Sequence, residues 1–224
     1  MKVFALMGSP RPGSNTDILV DKILEGAASE GAETEKFTIR GIKVLPCDGC
    51  MDCRKTGICN DKNDDVLLMA QKIAEADVIV IGTPIYGNHL PGEFKMFFDR
   101  LTGLTHKNEM HDGKFQSVSR LAIKQRNLAL LGVAGAPHME ACDQAFRFLT
   151  RVFMPEMNEG KVFELRALSL TKNKQVIMTR NELLDYARAM RYPNAEEIEE
   201  QMQLQNDEYL KRAYKIGKEL ITSL

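Results

Sequence analysis

Four of the chain's five cysteines stand together as Cys47-x2-Cys50-x2-Cys53-x5-Cys59, and the fifth, Cys142, is far away. Thiolates are nucleophiles and soft metal ligands. Three cysteines spaced by three residues can wrap one small object, and the fourth can close the cage after a short loop. Gly49 and Gly57 permit the tight turns this requires. A compact run of this kind holds [4Fe–4S] clusters in ferredoxins, although Asn60 stands where that run has proline. Structural zinc usually takes two Cys-x2-Cys pairs separated by a longer stretch, which leaves the middle cysteine awkward. Disulfide or free-thiol chemistry is the third reading, and a reducing cytosol opposes it. All three readings make Cys47, Cys50, Cys53 and Cys59 the candidate metal or redox ligands.

The second constellation is Gly8-Ser-Pro-Arg-Pro-Gly-Ser-Asn-Thr16. It follows the apolar run Val3–Met7 and leads into a helical pattern beginning near Asn15. Such a junction binds anions, because free backbone N–H groups and the positive end of the helix dipole converge there. Ser9, Ser14 and Thr16 add hydroxyls, Asn15 an amide and Arg11 one charge. No lysine follows Gly13, so the loop is not a triphosphate cradle, and it lacks the Gly-x-Gly-x-x-Gly of a pyrophosphate site. A hydroxyl-rich loop with little charge suits one phosphate monoester, such as FMN carries. The alternative is a loop that merely caps its helix. Two more turn-rich segments, Thr83–His89 and Gly132–His138, leave apolar runs. Gly87 and Gly135 allow a backbone to approach a flat ring, and Tyr86 either lies near that ring or is a core-edge tyrosine.

The elements that must position these groups alternate. Strands are predicted at 3–7, 34–39, 77–82, 127–133 and 161–165. Helices are predicted from about 15, over 64–75, from Pro91 or Gly92, and along Ala141, Ala145, Phe148 and Val152. A last helix has Asn194 as its cap, Glu197 at its third position, and a stripe of Met202, Tyr209, Ala213, Ile216 and Leu220. This alternation predicts a five-stranded parallel α/β sheet of order 2-1-3-4-5 with helices on both faces. Ligands of such sheets sit outside the carboxyl ends, at the switch point between strands 1 and 3. Loops 9–16 and 83–89 would flank that crevice, and 133–138, with Ala134 and Gly135, would close its far side. The expected organisation is one domain over 1–224, with a Cys-rich loop at 40–62, a polar excursion at 102–125 and a C-terminal extension from about 166. No element is assigned to 166–193. His106 and His111 are expected in a solvated loop. Lys107, Lys114, Arg120, Lys124 and Arg126 are expected on a solvated basic face, the alternatives being a nicotinamide dinucleotide phosphate or an acidic partner. His138 is the histidine best placed to touch a ligand. Cys142 is expected as a small buried helix residue.

The chain has 224 residues and a formal net charge of −1, with 44% hydrophobic residues. Nothing in that balance points to nucleic acid or an anionic membrane surface. No apolar run reaches the roughly 18 residues of a membrane span. The N-terminal apolar run is too short for a signal peptide, so a cytoplasmic location is expected.

The Gly8–Thr16 loop, the four-cysteine run and Thr83-Pro-Ile-Tyr86 together resemble the iron–sulfur flavoproteins, within the wider NAD(P)H-dependent FMN reductase group of flavodoxin-like proteins. The resemblance covers roughly residues 1–135. It implies an FMN-dependent oxidoreductase with FMN in the switch-point crevice and a [4Fe–4S] cluster on the loop after strand 2. It also implies homo-oligomers, dimers or tetramers, in which one subunit's cluster lies near a neighbour's flavin. The partner would be a small redox donor or acceptor, with NAD(P)H one candidate donor. By motif match, Ser9, Arg11, Ser14, Asn15 and Thr16 would hold the phosphate. Pro84, Ile85, Tyr86, Gly87 and Asn88 would meet the ring and ribityl chain. No catalytic side chain is demanded. The rival readings are an NAD(P)H-dependent FMN or quinone reductase without a cluster and a zinc-stabilised binding module.

Overall fold

The computed structural model describes residues 1–59 and 63–224, so the last three residues of the expected 40–62 loop lie outside the described residues. In chain order, β1 (Lys2–Met7) leads into α1 (Asn15–Ser29), followed by β2 (Glu33–Thr38). The cysteine segment contains a short helix, α2 (Asp52–Thr56), and precedes α3 (Val66–Glu75) and β3 (Val78–Pro84). Next come α4 (Gly92–Thr105), β4 (His106–His111), β5 (Lys114–Ser119), β6 (Asn127–Val133) and α5 (Asp143–Met157). The chain then forms β7 (Val162–Ala167), α6 (Arg180–Ala189) and α7 (Ala195–Thr222).

The main sheet is parallel throughout, in the order β2-β1-β3-β6-β7. Counted along that sheet alone, this is the predicted 2-1-3-4-5 order of a flavodoxin-like fold. β3 and β6 are buried at every position, as central strands covered on both faces must be. Strand alternation divides the core in two. Phe4, Leu6, Ile79, Ile81, Leu128 and Leu130 face Phe94, Phe97, Phe98, Phe146 and Phe153 of α4 and α5. Each fully buried phenylalanine contributes about 1.5–3 kcal/mol relative to exposure, so these rings dominate that layer. Val3, Ala5, Val78, Val80, Ala129 and Leu131 face α1 and α7 through Leu19, Ile23, Ala213, Ile216 and Leu220. The two helices touch at glycines: a Cβ on Gly26 would lie 2.1 Å from the Tyr214 carbonyl oxygen, and one on Gly217 would lie 2.0 Å from that of Ile23.

Four expectations need correction. Residues 102–125 are not an irregular excursion: α4 continues to Thr105, and β4 and β5 form an antiparallel hairpin. Its two-residue turn has φ of 51° at Asp112 and 75° at Gly113, which is what Asp-Gly supplies in a hairpin. The flanking strands are too polar to show an alternation. His106 and Arg126 are not solvated. His106 is 5% exposed, its Nε2 lies 2.8 Å from Glu156 Oε1, and Ser119 Oγ donates to the other carboxylate oxygen. The Arg126 guanidinium is buried because it donates to the carbonyls of Ala74, Ala76, Ala122 and Glu156, tying the segment before β6 to the end of α3 and to α5. The stretch left unassigned at 166–193 contains a 3-10 turn at Gln175–Ile177 and α6, which opens with a Thr179/Glu182 capping box. Asn194 does precede α7, but at φ 54° its side chain does not cap; its Nδ2 donates to Glu197 Oε2 at 3.4 Å instead. Asparagine is among the few residue types that tolerate this left-handed conformation. Among the described residues, no helix is long and apolar enough to cross a membrane.

Candidate functional site

A cleft of about 360 Å³ opens where the phosphate-loop candidate, the segment after β3 and the segments after β6 and β7 converge. Ser9, Arg11, Ser14, Asn15, Thr16, Pro84, Ile85, Tyr86 and Gly135 line it, so nine of the predicted residues come together. Gly87, Asn88 and Ala134 do not line it. Gly87 and Asn88, both left-handed, form the tip of a tight turn closed by Tyr86 and His89 backbone bonds of 2.9 and 3.1 Å. Ala134 is buried, and its N–H donates to the Ala167 carbonyl at the junction of β6 and β7. His138 is exposed and is not among the lining residues.

The loop is organised by its own side chains. Arg11 N–H donates to Ser9 Oγ at 3.2 Å, and Ser14 Oγ caps α1 by accepting from Asp17 N–H at 3.2 Å. Gly13, at φ 64°, donates its N–H to Asp17 Oδ2. The first-turn N–H groups of Asn15 and Thr16 have no intrahelical partner, as at any helix start. Asn15 itself serves differently from expectation: its Nδ2 donates to the Lys172 carbonyl at 2.8 Å and its Oδ1 accepts from Val176 N–H at 3.1 Å. Its amide therefore holds the post-β7 loop, while its backbone remains at the anion end. That loop contributes Leu170, Thr171, Lys172 and Asn173 to the lining, which sequence reasoning missed. The buried Gln175 shapes it: Oε1 accepts from the Thr171 and Lys172 N–H groups, and Nε2 donates to the Ser169 carbonyl. No periodic or motif signal marks such a segment.

The four clustered cysteines line a second cavity of about 80 Å³, together with Arg54, Asp99, Arg100 and Gly103. The neck of the loop that carries them is closed by backbone and carboxylate. Lys43 and Leu45 donate their N–H groups to Asp65 and Asp64, at 2.7 and 2.9 Å. Arg100 of α4 staples this neck, donating to the Leu45 carbonyl at 3.2 Å and to Asp64. Gly49 and Gly57 take the left-handed backbone their turns require. Arg120, after the hairpin, donates to the Arg54 carbonyl and to the His106 carbonyl, tying α2 to β4. Burial pushes the Cys53 thiol up, and the nearby Cys59, Cys47 and Cys50 raise it further while Arg54 opposes them. Thiols that repel one another as thiolates are stabilised together by a shared cation. Four thiols are a donor set that suits a sulfur-ligated metal group, and Gly103 makes room for one of them: a Cβ there would stand 2.3 Å from Cys53 Sγ. As placed, no three His, Cys, Asp or Glu side chains among the described residues converge closely enough to hold one ion. Cys142 is buried as expected, and burial pushes its thiol up to about 11.

The family model described as NADPH-dependent FMN reductase matches residues 1–166. An iron–sulfur flavoprotein of Methanocaldococcus jannaschii is 41% identical over 100 residues, 45% of this chain and 51% of that protein. One from Methanosarcina thermophila is 32% identical over 136 residues, 61% of this chain and 64% of that protein. The chain thus matches about half to two thirds of the length of these curated relatives. In fold it is similar to the NAD(P)H:quinone oxidoreductase from Methanothermobacter marburgensis, with a TM-score of 0.63, 15% identity, and coverage of 98% of this chain and 96% of that one. Since the matched segment carries β1, the hydroxyl loop, β3 and β6, the chain belongs to the NADPH-dependent FMN reductase family.

Proposed function

We propose that this protein is an FMN-dependent oxidoreductase of the iron–sulfur flavoprotein type, passing electrons between FMN in the β1–β3 cleft and a [4Fe–4S] cluster held by Cys47, Cys50, Cys53 and Cys59. The observation that carries this reading is the gathering of all four cysteines on one cavity in a chain that also has the hydroxyl-lined cleft. FMN, when bound, supplies the exchange of a hydride or of single electrons. The protein's part is binding and orientation. Ser9, Ser14, Thr16 and the first-turn amides of α1 would receive the phosphate, with Arg11 adding charge. Pro84, Ile85 and Tyr86 on one side and Gly135 on the other would flank the ring. NAD(P)H is a candidate donor.

The cysteine cavity is lined by Asp99, Arg100, Thr102 and Gly103 of α4, whereas the cleft is lined by residues 84–86, before that helix begins. At 1.5 Å per residue, Gly92 and Gly103 are separated by about 16 Å along α4, with Phe94, Phe97 and Phe98 buried on it. Exchange is proposed between copies, as the resemblance to the iron–sulfur flavoproteins implies. Met110 and Phe115, opposed across the hairpin and 57% and 74% exposed, would be covered in such a homo-oligomer. Sedimentation as a monomer would count against it.

The test is an anaerobic visible spectrum with iron, acid-labile sulfide and flavin analysis. The expected result is about four iron and four sulfide per FMN. Cys50→Ser should lose the iron and keep the flavin. A yellow, iron-free protein would establish the cluster-free reductase, the reading favoured by the lack of three converged ligands among the described residues. A colourless protein with one zinc would leave the binding module.

A further inference from the structure

The anion end of the cleft carries more positive charge than the hydroxyl loop supplies. Arg11 is that loop's one cation. The segment after β7 adds Lys172, which lines the cleft. It also adds Lys174, whose side chain reaches the loop: a Cβ on Gly13 would meet its Cε at 3.2 Å and its Nζ at 3.7 Å. Among the described residues, Arg11, Lys172 and Lys174 form no ion pair; Lys172 Nζ lies 5.9 Å from the centre of the Tyr186 ring. The loop's own carboxylate, Asp17, is already engaged by Lys36 Nζ at 2.7 Å and by the Gly13 N–H. The Thr16 hydroxyl, on a residue 1% exposed, also makes no hydrogen bond to a described residue.

These lysines do not sit on a loose strand of chain. Three buried polar side chains fix their segment: Asn15 brackets it, Gln175 takes its amides, and Asn206 of α7 donates to the Gln175 carbonyl at 2.8 Å. Thr171 Oγ1 and the Tyr186 hydroxyl add a bond of 2.7 Å from α6. A folded segment that sets Lys172 on the cleft wall and Lys174 beside Gly13, neither with a carboxylate partner, next to a helix start and an unpartnered hydroxyl, suits an anion.

We propose that Lys172 and Lys174 are specificity-determining residues which, with Arg11, clamp a terminal phosphate dianion and so make the cleft select FMN over riboflavin. Both lie beyond the family-matched residues 1–166. The proposal rests on the FMN reading above. The same phosphate chemistry could come from a nicotinamide dinucleotide, and the experiment separates the two.

The full chain is titrated by fluorescence with FMN and with riboflavin, as wild type, as the double variant Lys172→Ala/Lys174→Ala and as Lys172→Arg/Lys174→Arg. Two exposed charge pairs predict a rise of about tenfold in the Kd for FMN in the alanine variant and none for riboflavin. The arginine variant should keep the wild-type ratio. Raising salt to about 0.5 M should narrow the FMN/riboflavin ratio of wild type more than that of the alanine variant. Equal weakening of both flavins would make the lysines structural and overturn the proposal, as would an unchanged ratio. Loss of NADPH affinity with the flavin ratio intact would assign the clamp to the donor and overturn it as stated. A wild type that binds FMN with an unaltered ratio in the variant defeats the clamp alone, whereas one that binds neither flavin defeats the FMN reading with it.

Discussion

Replacing Arg100 by methionine tests how the cysteine loop is held. The Arg100 and Asp64 side chains are 2% and 1% exposed, so the substitution leaves a carboxylate buried without its countercharge. Breaking one partner of such a pair costs about 3–5 kcal/mol. Two remaining donors moderate the loss here, the Leu45 and Val66 N–H groups at 2.9 and 3.4 Å from Asp64. The lower end, about 3 kcal/mol, is therefore expected. With a urea m-value of about 2–3 kcal/mol/M, the unfolding midpoint should fall by about 1–1.5 M at pH 7. Adding Asp64→Asn removes the stranded charge and keeps an acceptor for Leu45, so the double variant should recover part of the loss and not add to it. A midpoint within error of wild type, or a double variant as unstable as the sum of its parents, would show that the pair does not close the loop's neck.

Three further outcomes follow from the packing and the titrating groups. Gly217→Ala gains about 1 kcal/mol of helix propensity but drives a methyl against the Ile23 carbonyl oxygen, at 2.0 Å, so the overpacking cost of about 1–3 kcal/mol or more should win; a urea midpoint at or above wild type would mean α1 and α7 part freely. Burial raises Asp77, but the hydrogen bonds from Lys124 and the Lys2 N–H outweigh it and hold the carboxyl below its usual range. Its stabilisation is therefore present above about pH 4 and lost as the pH falls further, and Asp77→Asn should flatten the urea-midpoint profile between pH 7 and 3; superimposable profiles would refute this. Cys142, with its buried thiol pushed up to about 11, should stay unmodified by iodoacetamide at pH 8 in the folded protein and react only on unfolding, as read by peptide mass spectrometry.

The sheet was legible because its physics is local. Val78–Ile81 and Asn127–Val133 are short apolar runs that suit a strand covered on both faces, and each leads into a turn-rich segment. The hydroxyl loop was legible for the same reason, since a strand, a Gly/Ser/Asn run and a helix start are contiguous in sequence. The hairpin carried one local mark, Asp112-Gly113. Its outward strands, Lys-Asn-Glu and Lys-Phe-Gln-Ser among them, bury too little to show alternation.

Beyond the hairpin and α6, what escaped the sequence is chain positioned by a buried polar side chain bonded across the fold. Arg126 gathers carbonyls from Ala74, Ala76 and Glu156, the Glu156 carboxylate accepts from Ser119 and lies against His106, Gln175 folds the segment that carries Lys172, and Arg100 closes the cysteine loop. A lone arginine or glutamine between loops has no period, and its exposed and buried states look alike in sequence; long polar residues are rarely fully buried, so composition argues for the surface. Burial becomes affordable only when the fold supplies enough carbonyls or a countercharge to replace water. Asn15 shows how this misleads at a functional site: its place in the loop suggested an anion ligand, yet its amide is consumed in joining the family-matched segment to the residues beyond it. The cleft is therefore assembled from a local motif and a remote one, and the remote half depends on the side chain that the local motif lends to it.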